Sequence, residues 1–338
     1  MAPRVHRVMG MMAMMALLQL VALATVGPGD GQQARRRLTA EPGALPGWTA
    51  PPSPASNAAP TAIPTTPTAV PAAPAAVVTP PQPPAQVPAA KGNSARTTAP
   101  VVADDPAGLA RQLASAEAAV ADPATPPGEL AAMAHLQQLI YRKLVARPEW
   151  KPDVMAAIPA PFVASAEANF TAAAKLRSMI KRPKEKLPPW RIVAPAPPEE
   201  LLGYYLQAEK ASGVPWQYLA AIHLVETRMG RIRGTSSAGA QGPMQFMPAT
   251  WAAYGKGDVN SNRDAISAAA RYLRHNGAPA EMRKALWNYN HDYRYVDAVT
   301  LHAERMKADR RAFFGYYHWQ VYYFTATGDI WLPEGYGS

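Results

Sequence analysis

Cysteine is absent from the 338 residues of this chain. Disulfide bonds, thiolate metal sites and a cysteine nucleophile are therefore excluded. A His-Glu-x-x-His zinc pattern and a glycine-rich phosphate-binding loop are also missing. The sequence therefore predicts no metal and no cofactor.

A nucleic-acid-binding motif is missing as well, although the net charge is +10. Lysine and arginine are spread along the chain, whereas a nucleic-acid-binding surface usually gathers them into one basic patch or stripe. The sequence therefore predicts no nucleic-acid partner. An acidic polymer or a membrane surface fits the basic balance equally well.

Long apolar runs are rare, and the exception is residues 8–26, "VMGMMAMMALLQLVALATV". Arg4 and Arg7 precede this run, and Ala22-Leu23-Ala24 has the small-x-small pattern of a signal peptidase site. The run is also nearly long enough to span a bilayer. A cleaved signal peptide and an N-terminal membrane anchor both remain open over residues 1–26, and either one predicts export.

Proline is abundant, at 37 residues, and it is concentrated after the apolar run. Residues 27–103 consist mainly of Pro, Ala, Thr and Val, most clearly from residue 39 onward. Such a segment cannot bury enough apolar surface to fold, and its prolines favour an extended conformation. We predict a disordered Pro/Ala-rich linker here.

Helical periodicity begins after Asp104-Asp105-Pro106. Apolar residues recur at helical spacing in three segments, near 106–121, 127–146 and 160–181. No cluster of catalytic residues is present, and His135 fits a packed or solvated histidine better than a ligand. The pattern predicts a small helical module over residues 104–190, for packing or partner contact.

The remainder of the chain is predicted to be mainly α-helical. Gly213 ends one helix, Pro215 lies in the first turn of the next, and Ser261 with Asp264 forms a capping-box start. Further helices are predicted near 243–254, 262–276, 279–291 and 293–308. An aromatic tail over 313–338 predicts a small β-hairpin turning at Gly328-Asp329. Its aromatic residues favour closure of a small core over sugar stacking; they are Trp319, Tyr322, Tyr323 and Trp331.

Glu226 is a lone carboxylate that continues an apolar helical stripe through Leu219 and Ile222. Partial burial would raise its pKa toward neutrality, as general acid catalysis at a glycosidic bond requires. Four glycines in the following loop, residues 230–242, would let backbone approach a ligand. The alternative is that Glu226 pairs with arginines on the surface.

Three other polar residues are weaker candidates. Asp258 begins a partial EF-hand pattern, but Arg263 replaces the required glycine, so calcium is rejected. Asp258 could be a second catalytic carboxylate, although a loop or capping role fits better. His223 fits a core or hydrogen-bonding histidine better than a catalytic one.

Four ordered motifs resemble those of the lytic transglycosylases, in the lysozyme-like superfamily, and are most similar to the membrane-bound lytic murein transglycosylase B type. They lie within about residues 200–305, and they are "VETRMGRIRG", "SSAGAQGPMQFMPATW", "GDVNSNRDAISAAARYL" and "NYNHDYRYV". The resemblance implies a lysozyme-like helical catalytic domain. It also implies peptidoglycan as the substrate and a location at the bacterial cell envelope.

The resemblance also implies roles for individual residues. Glu226 matches the single catalytic acid/base, and Ser236 matches a serine that positions the substrate N-acetyl group or Glu226. The implied substrate-binding residues are Ser236, Met244, Gln245, Tyr289, Asn290 and Tyr295. Thr227 departs from the pattern, because many relatives have serine there.

The implied reaction cleaves the β-1,4 bond between N-acetylmuramic acid and N-acetylglucosamine and forms a 1,6-anhydro sugar. A lysozyme-type hydrolase and a non-catalytic cell-wall-binding module remain alternatives. Cell-wall enzymes are possible partners of the 104–190 module. The predicted organisation is: 1–26 signal or anchor, 27–103 linker, 104–190 helical module, 191–312 catalytic domain, 313–338 C-terminal extension.

Overall fold

The computed structural model describes residues 98–338, so the predicted signal or anchor segment and the linker up to residue 97 lie outside the described residues. Within residues 98–338, the chain forms eleven α-helices and two small two-stranded sheets. The prediction of a mainly α fold is confirmed. Of the helices in this range, none is long and apolar enough to cross a membrane.

The helices and strands follow one another along the chain, and the longest connections are residues 179–190 and 234–247. They are α1 (Pro106–Ala121), α2 (Pro127–Ala146), α3 (Lys151–Ala157), α4 (Ala160–Ser178), β1 (Arg191–Ile192), α5 (Pro198–Ser212), α6 (Trp216–Thr227), β2 (Ile232–Arg233), α7 (Pro248–Tyr254), α8 (Asn262–His275), α9 (Met282–Tyr289), α10 (Tyr293–Ala308), α11 (Arg311–Tyr317), β3 (Val321–Thr325) and β4 (Gly328–Leu332).

The three helices predicted in the N-terminal module are confirmed as α1, α2 and α4. Asp105 caps α1 by accepting a hydrogen bond from the backbone N–H of Gly108 at 2.7 Å, and Pro106 occupies the first turn. The seven-residue helix α3 was not predicted, since it is too short to show helical periodicity. The start of α8 is confirmed: the Ser261 hydroxyl accepts from the N–H of Asp264.

Two predicted elements differ in position. The helix predicted from residue 243 begins only at Pro248, because the residue before a proline is disfavoured in the helical conformation and Met247 is extended. The C-terminal hairpin exists, but its turn is at residues 326–327 and not at Gly328-Asp329. Gly328, with φ +128°, is the first paired residue after the turn and lies opposite Thr325. The antiparallel pair β1–β2 was also missed, because two residues carry no alternating pattern.

A single hydrophobic core joins the N-terminal helices to the helices that follow residue 190. Leu113 of α1 and Leu144 of α2 belong to the same buried cluster as Ile222 of α6 and Phe313 of α11. Helix α4 packs on α10, and α1 packs on α11. In residues 98–338, the predicted boundary at 190/191 therefore lies inside one continuously packed unit.

The C-terminal extension is held against α2 by contacts between residues far apart in sequence. Trp319 is buried, and its indole N–H donates to the Gln137 side chain at 3.1 Å. The backbone N–H of Gln320 donates to the Gln138 side chain at 2.7 Å. Trp319, Tyr322 and Tyr323 are all buried, so the preferred interpretation, closure of a core, is confirmed for these three aromatic residues.

Candidate active site

Glu226 lies in the last turn of α6, a helix that is apolar and buried on almost every side. Leu219 and Ile222 on the same stripe have no exposed surface, and Glu226 itself is only 4% exposed. A helix that is hydrophobic all round belongs in the centre of a fold. The site thus places a carboxylate at the end of the central helix. This position excludes the alternative of a surface ion pair.

Tyr295 provides the hydrogen-bond partner of Glu226. Its hydroxyl donates to Glu226 Oε1 at 2.8 Å, and both side chains are buried. Tyr295 lies in the first turn of α10, which begins after the capping residue Asp292. The cap therefore helps to fix the position of the helix that supplies this hydroxyl.

Tyr289 packs behind this pair. The rings of Tyr289 and Tyr295 are parallel, with centroids 6.5 Å apart and an interplanar angle of 5°. The Tyr289 hydroxyl donates to the backbone carbonyl of Met244 at 2.6 Å, which ties the end of α9 to the loop before α7. Glu226 is thus supported by aromatic side chains from α9 and α10.

Burial determines the protonation behaviour of this site. It raises the pKa of Glu226 to about 7, because an ionised carboxylate is poorly solvated there, while the hydrogen bond from Tyr295 acts in the opposite direction. Burial also raises the pKa of Tyr289 and of Tyr295 well above the ordinary value. The two tyrosines therefore remain hydroxyl donors. Glu226 can both donate and accept a proton near neutral pH.

The loop between α6 and α7 is anchored at its base by Thr227. The Thr227 hydroxyl donates to the carbonyl of Pro243 at 2.6 Å and accepts from the N–H of Gly230 at 3.1 Å. Gly230 has φ +82°, a left-handed conformation that favours glycine, and a Cβ there would lie 2.9 Å from Asn262 Oδ1. Thr227, which stands where the resembled motif often has serine, therefore links the beginning and the end of the 230–243 loop.

Ser236 stabilises the conformation of the loop. It is buried, and its hydroxyl oxygen accepts from the N–H groups of Ala238 at 3.2 Å and Ala240 at 3.0 Å. Gly242 (φ +71°) lies so close to the next segment that a Cβ there would be 2.0 Å from the carbonyl oxygen of Val259. Ser236 and Gly242 together fix the path of the backbone on either side of residue 240.

The remaining predicted site residues have little exposed surface. Gln245 has a left-handed backbone (φ +50°), and its amide donates to the carbonyl of Gly242 at 2.9 Å. Asn290 caps α9 and is 4% exposed. Met244 and Tyr295 have no exposed surface. Their direct contact with a sugar stays a prediction.

The two histidines considered from the sequence are packed side chains, as expected. His223 Nδ1 lies 2.7 Å from the Tyr205 hydroxyl, and burial lowers its pKa to about 3. His135 Nε2 lies 2.7 Å from the Tyr322 hydroxyl, and burial lowers its pKa to about 4. Both are therefore neutral at pH 7.

Asp258 takes the loop role expected of it, because its carboxylate accepts from the N–H of Asn260 at 2.9 Å. Within residues 98–338, burial and the Tyr295 hydroxyl account for the pKa of Glu226, and Asp258 does not contribute.

The contact between Tyr295 and Glu226 is the feature that sequence reasoning missed. Tyr295 was predicted only as a substrate-binding aromatic. The two residues are 69 positions apart, so helical spacing within one element carries no signal of their contact. Only the packing of α10 on α6 brings the hydroxyl to the carboxylate.

Residues 203–299 match the family model described as the transglycosylase SLT domain. No curated protein and no solved structure matches the chain. The matched range extends from within α5 to within α10, and it contains Glu226 and every predicted substrate-binding residue. It supports a lytic transglycosylase activity, with a lysozyme-like domain that acts on peptidoglycan. Such a substrate implies an extracytoplasmic location.

Proposed function

We propose that this protein is a peptidoglycan lytic transglycosylase in which Glu226 is the single general acid and base. It cleaves the β-1,4 bond between N-acetylmuramic acid and N-acetylglucosamine and leaves a 1,6-anhydro end. The observation that carries this proposal is a buried carboxyl group with a pKa of about 7, inside the range that matches the transglycosylase domain.

Each half of the reaction uses one protonation state of Glu226. The protonated carboxyl gives its proton to the bridging oxygen as the bond from that oxygen to C1 of the muramic acid breaks. The resulting carboxylate then takes the proton of the C6 hydroxyl as the C6 oxygen bonds to C1. Glu226 ends as it began, and no water is consumed.

A pKa near neutrality suits both steps, because an acid/base catalyst works best when its pKa is close to the working pH. The nucleophile belongs to the bound sugar, so a second carboxylate that activates water is not required. The Tyr295 hydroxyl stabilises the carboxylate between the two steps. This accounts for a tyrosine that touches Glu226 but has no exposed surface.

The proposed substrate-binding residues lie in the same matched range as Glu226. Ser236, Gln245, Tyr289 and Asn290 retain a small exposed surface and contact the glycan, whereas the carbonyl of Met244 holds the Tyr289 hydroxyl. The resemblance of the four motifs supports membership of the B type as part of this proposal. We also propose that residues 1–26 direct export, as a secreted or membrane-anchored protein. The 104–190 helices contact other cell-wall enzymes.

Digestion of purified peptidoglycan with the full chain tests this function. The full chain is needed because the helices before residue 190 share the core of the matched domain. We expect muropeptides that are lighter by one water than reducing-end products. Glu226→Gln should abolish them, and Glu129→Gln, which changes an exposed carboxylate on α2, should not.

Products with ordinary reducing ends would instead establish a lysozyme-type hydrolase. Glycan binding without products from the parent protein would establish a non-catalytic cell-wall-binding module. Products that persist unchanged in Glu226→Gln would remove Glu226 from the mechanism.

A further inference from the structure

A second site lies at the end of α6, and its lining includes none of the proposed catalytic or substrate-binding residues. A cavity of about 80 Å³ lies between α2, α4, the end of α6, α10 and strand β3, and it opens partly to solvent. Its apolar wall includes Val145, Leu176, Val225 and Trp319. An engineered cavity of about 150 Å³ binds benzene, so this smaller cavity, which is open on one side, limits a ligand to a short chain.

Arg228 is a buried cation that lines this cavity. It is 7% exposed, its Nη1 donates to the carbonyl of Leu224 at 2.7 Å, and its Nε has no hydrogen-bond partner. Among the ion pairs of residues 98–338, none includes Arg228. A buried, unpaired guanidinium is strongly unfavourable because it has lost its water without gaining an anion. Burial accordingly lowers the pKa of Arg228 to about 9.

His302 adds a second unsatisfied polar group to the same cavity. It lies on α10, is 1% exposed, and its Nδ1 has no hydrogen-bond partner. Burial and the neighbouring charge of Arg228 lower its pKa to about 3, so the ring is neutral. A neutral imidazole can donate a hydrogen bond from one ring nitrogen.

The charges around the cavity are unbalanced. Arg142 and Arg177 also line it, and both pair with the one carboxylate of Asp329, at 2.8 Å and 3.1 Å. Arg142 and Arg177 therefore share one carboxylate, and Arg228 has none. The positive charge around the cavity favours binding of an anion. Arg228 is the lining cation that lacks an anionic partner.

We propose that this cavity binds a small organic monoanion of the short-chain carboxylate class. The ligand carboxylate pairs with the Arg228 guanidinium, which matches its geometry, and accepts a further hydrogen bond from His302. The short alkyl group packs against Val225 and Leu176. The apolar wall selects an organic anion over an inorganic one, and the volume limits its length. This site does not depend on the proposed catalytic activity.

Butyrate is a suitable probe, and butyramide is its uncharged counterpart of nearly the same size. We would titrate each into the full chain by calorimetry and record thermal unfolding in parallel, at constant ionic strength. A ligand that binds only the folded state raises the unfolding temperature in a saturable way. We expect this from butyrate and not from butyramide or added sodium chloride.

Two variants separate binding from folding. Arg228→Gln removes the charge, and Ala173→Leu fills the cavity while leaving the arginine in place. Each should weaken butyrate binding at least about tenfold, the equivalent of 1.4 kcal/mol. Ala118→Leu, which enlarges an exposed residue on α1, should bind butyrate like the parent. Undiminished binding in folded Ala173→Leu, equal binding of butyramide, or no saturable effect of butyrate would overturn the proposal.

Discussion

The hydroxyl of Tyr295 should set the pH range in which Glu226 can act as an acid. Tyr295→Phe removes this hydroxyl and leaves the ring in its buried place. The hydrogen bond stabilises the ionised form of Glu226 and so lowers its pKa. Its loss should therefore raise the pKa of Glu226 above the value of about 7.

The size of the shift follows from the strength of the bond. Hydrogen bonds to charged groups contribute about 1.5–3 kcal/mol, and one pKa unit corresponds to 1.36 kcal/mol, so we expect a rise of roughly one to two units. The first step needs protonated Glu226. In a profile of kcat/KM against pH, the pH at which activity falls on the alkaline side should therefore be one to two units higher in the variant than in the parent.

The assay is turnover of purified peptidoglycan across this pH range, with stability monitored in parallel. Tyr293→Phe is the matched control, because Tyr293 lies two residues before Tyr295 on the same helix and is 62% exposed. An alkaline limb that stays in place in Tyr295→Phe would refute the reasoning. So would an equal displacement in Tyr293→Phe, since it would not depend on the buried hydrogen bond.

Three further outcomes test other parts of the structure. Folding raises the pKa of Glu226 from 4.5 to about 7. The contribution of Glu226 to the free energy of unfolding is therefore full below pH 4.5 and is lost as pH rises through 7. Relative to the parent, Glu226→Gln should be more stable by about 3 kcal/mol at pH 8 and little changed at pH 4.5. Chemical denaturation measures this, and exposed Glu129→Gln should show no such dependence. Gly242→Ala should cost about 1–3 kcal/mol more than Gly239→Ala, because both have positive φ but only the former places its new methyl group 2.0 Å from a carbonyl oxygen and forces the backbone to shift. Equal losses by thermal melting would contradict the close approach. A chain that lacks residues 98–190 should aggregate or unfold without cooperativity, since it exposes its side of the shared core, and a sharp calorimetric transition would show instead that the remainder folds alone.

Local signals in the sequence predicted most of the helices. Three such signals act on residues within one or two helical turns, so they can be read from the local sequence. They are Ser261 at the start of α8, Gly213 at the end of α5 and Pro106 at the start of α1. The same holds for the apolar stripe that leads to Glu226.

Features that depend on distant contacts were not predictable in this way. The hydrogen bond between Tyr295 and Glu226, the shared core of α1 and α11, and the unpaired charge of Arg228 arise from how helices pack. The hairpin turn was misplaced for a related reason. A glycine next to an aspartate indicates a turn, but the pairing of β3 with β4 decides which two residues lie between the strands.

The attachment of the C-terminal extension to α2 has a consequence for how the protein is made. Gln320 and Trp319 complete contacts with side chains synthesised 182 residues earlier. Contacts between distant parts of a chain form slowly, because a long loop must be closed before they contribute. The helices after residue 106 can therefore form during synthesis, but the unit they belong to closes only when the ribosome has released the hairpin. Until then the growing chain keeps part of its core uncovered and depends on being shielded from other chains.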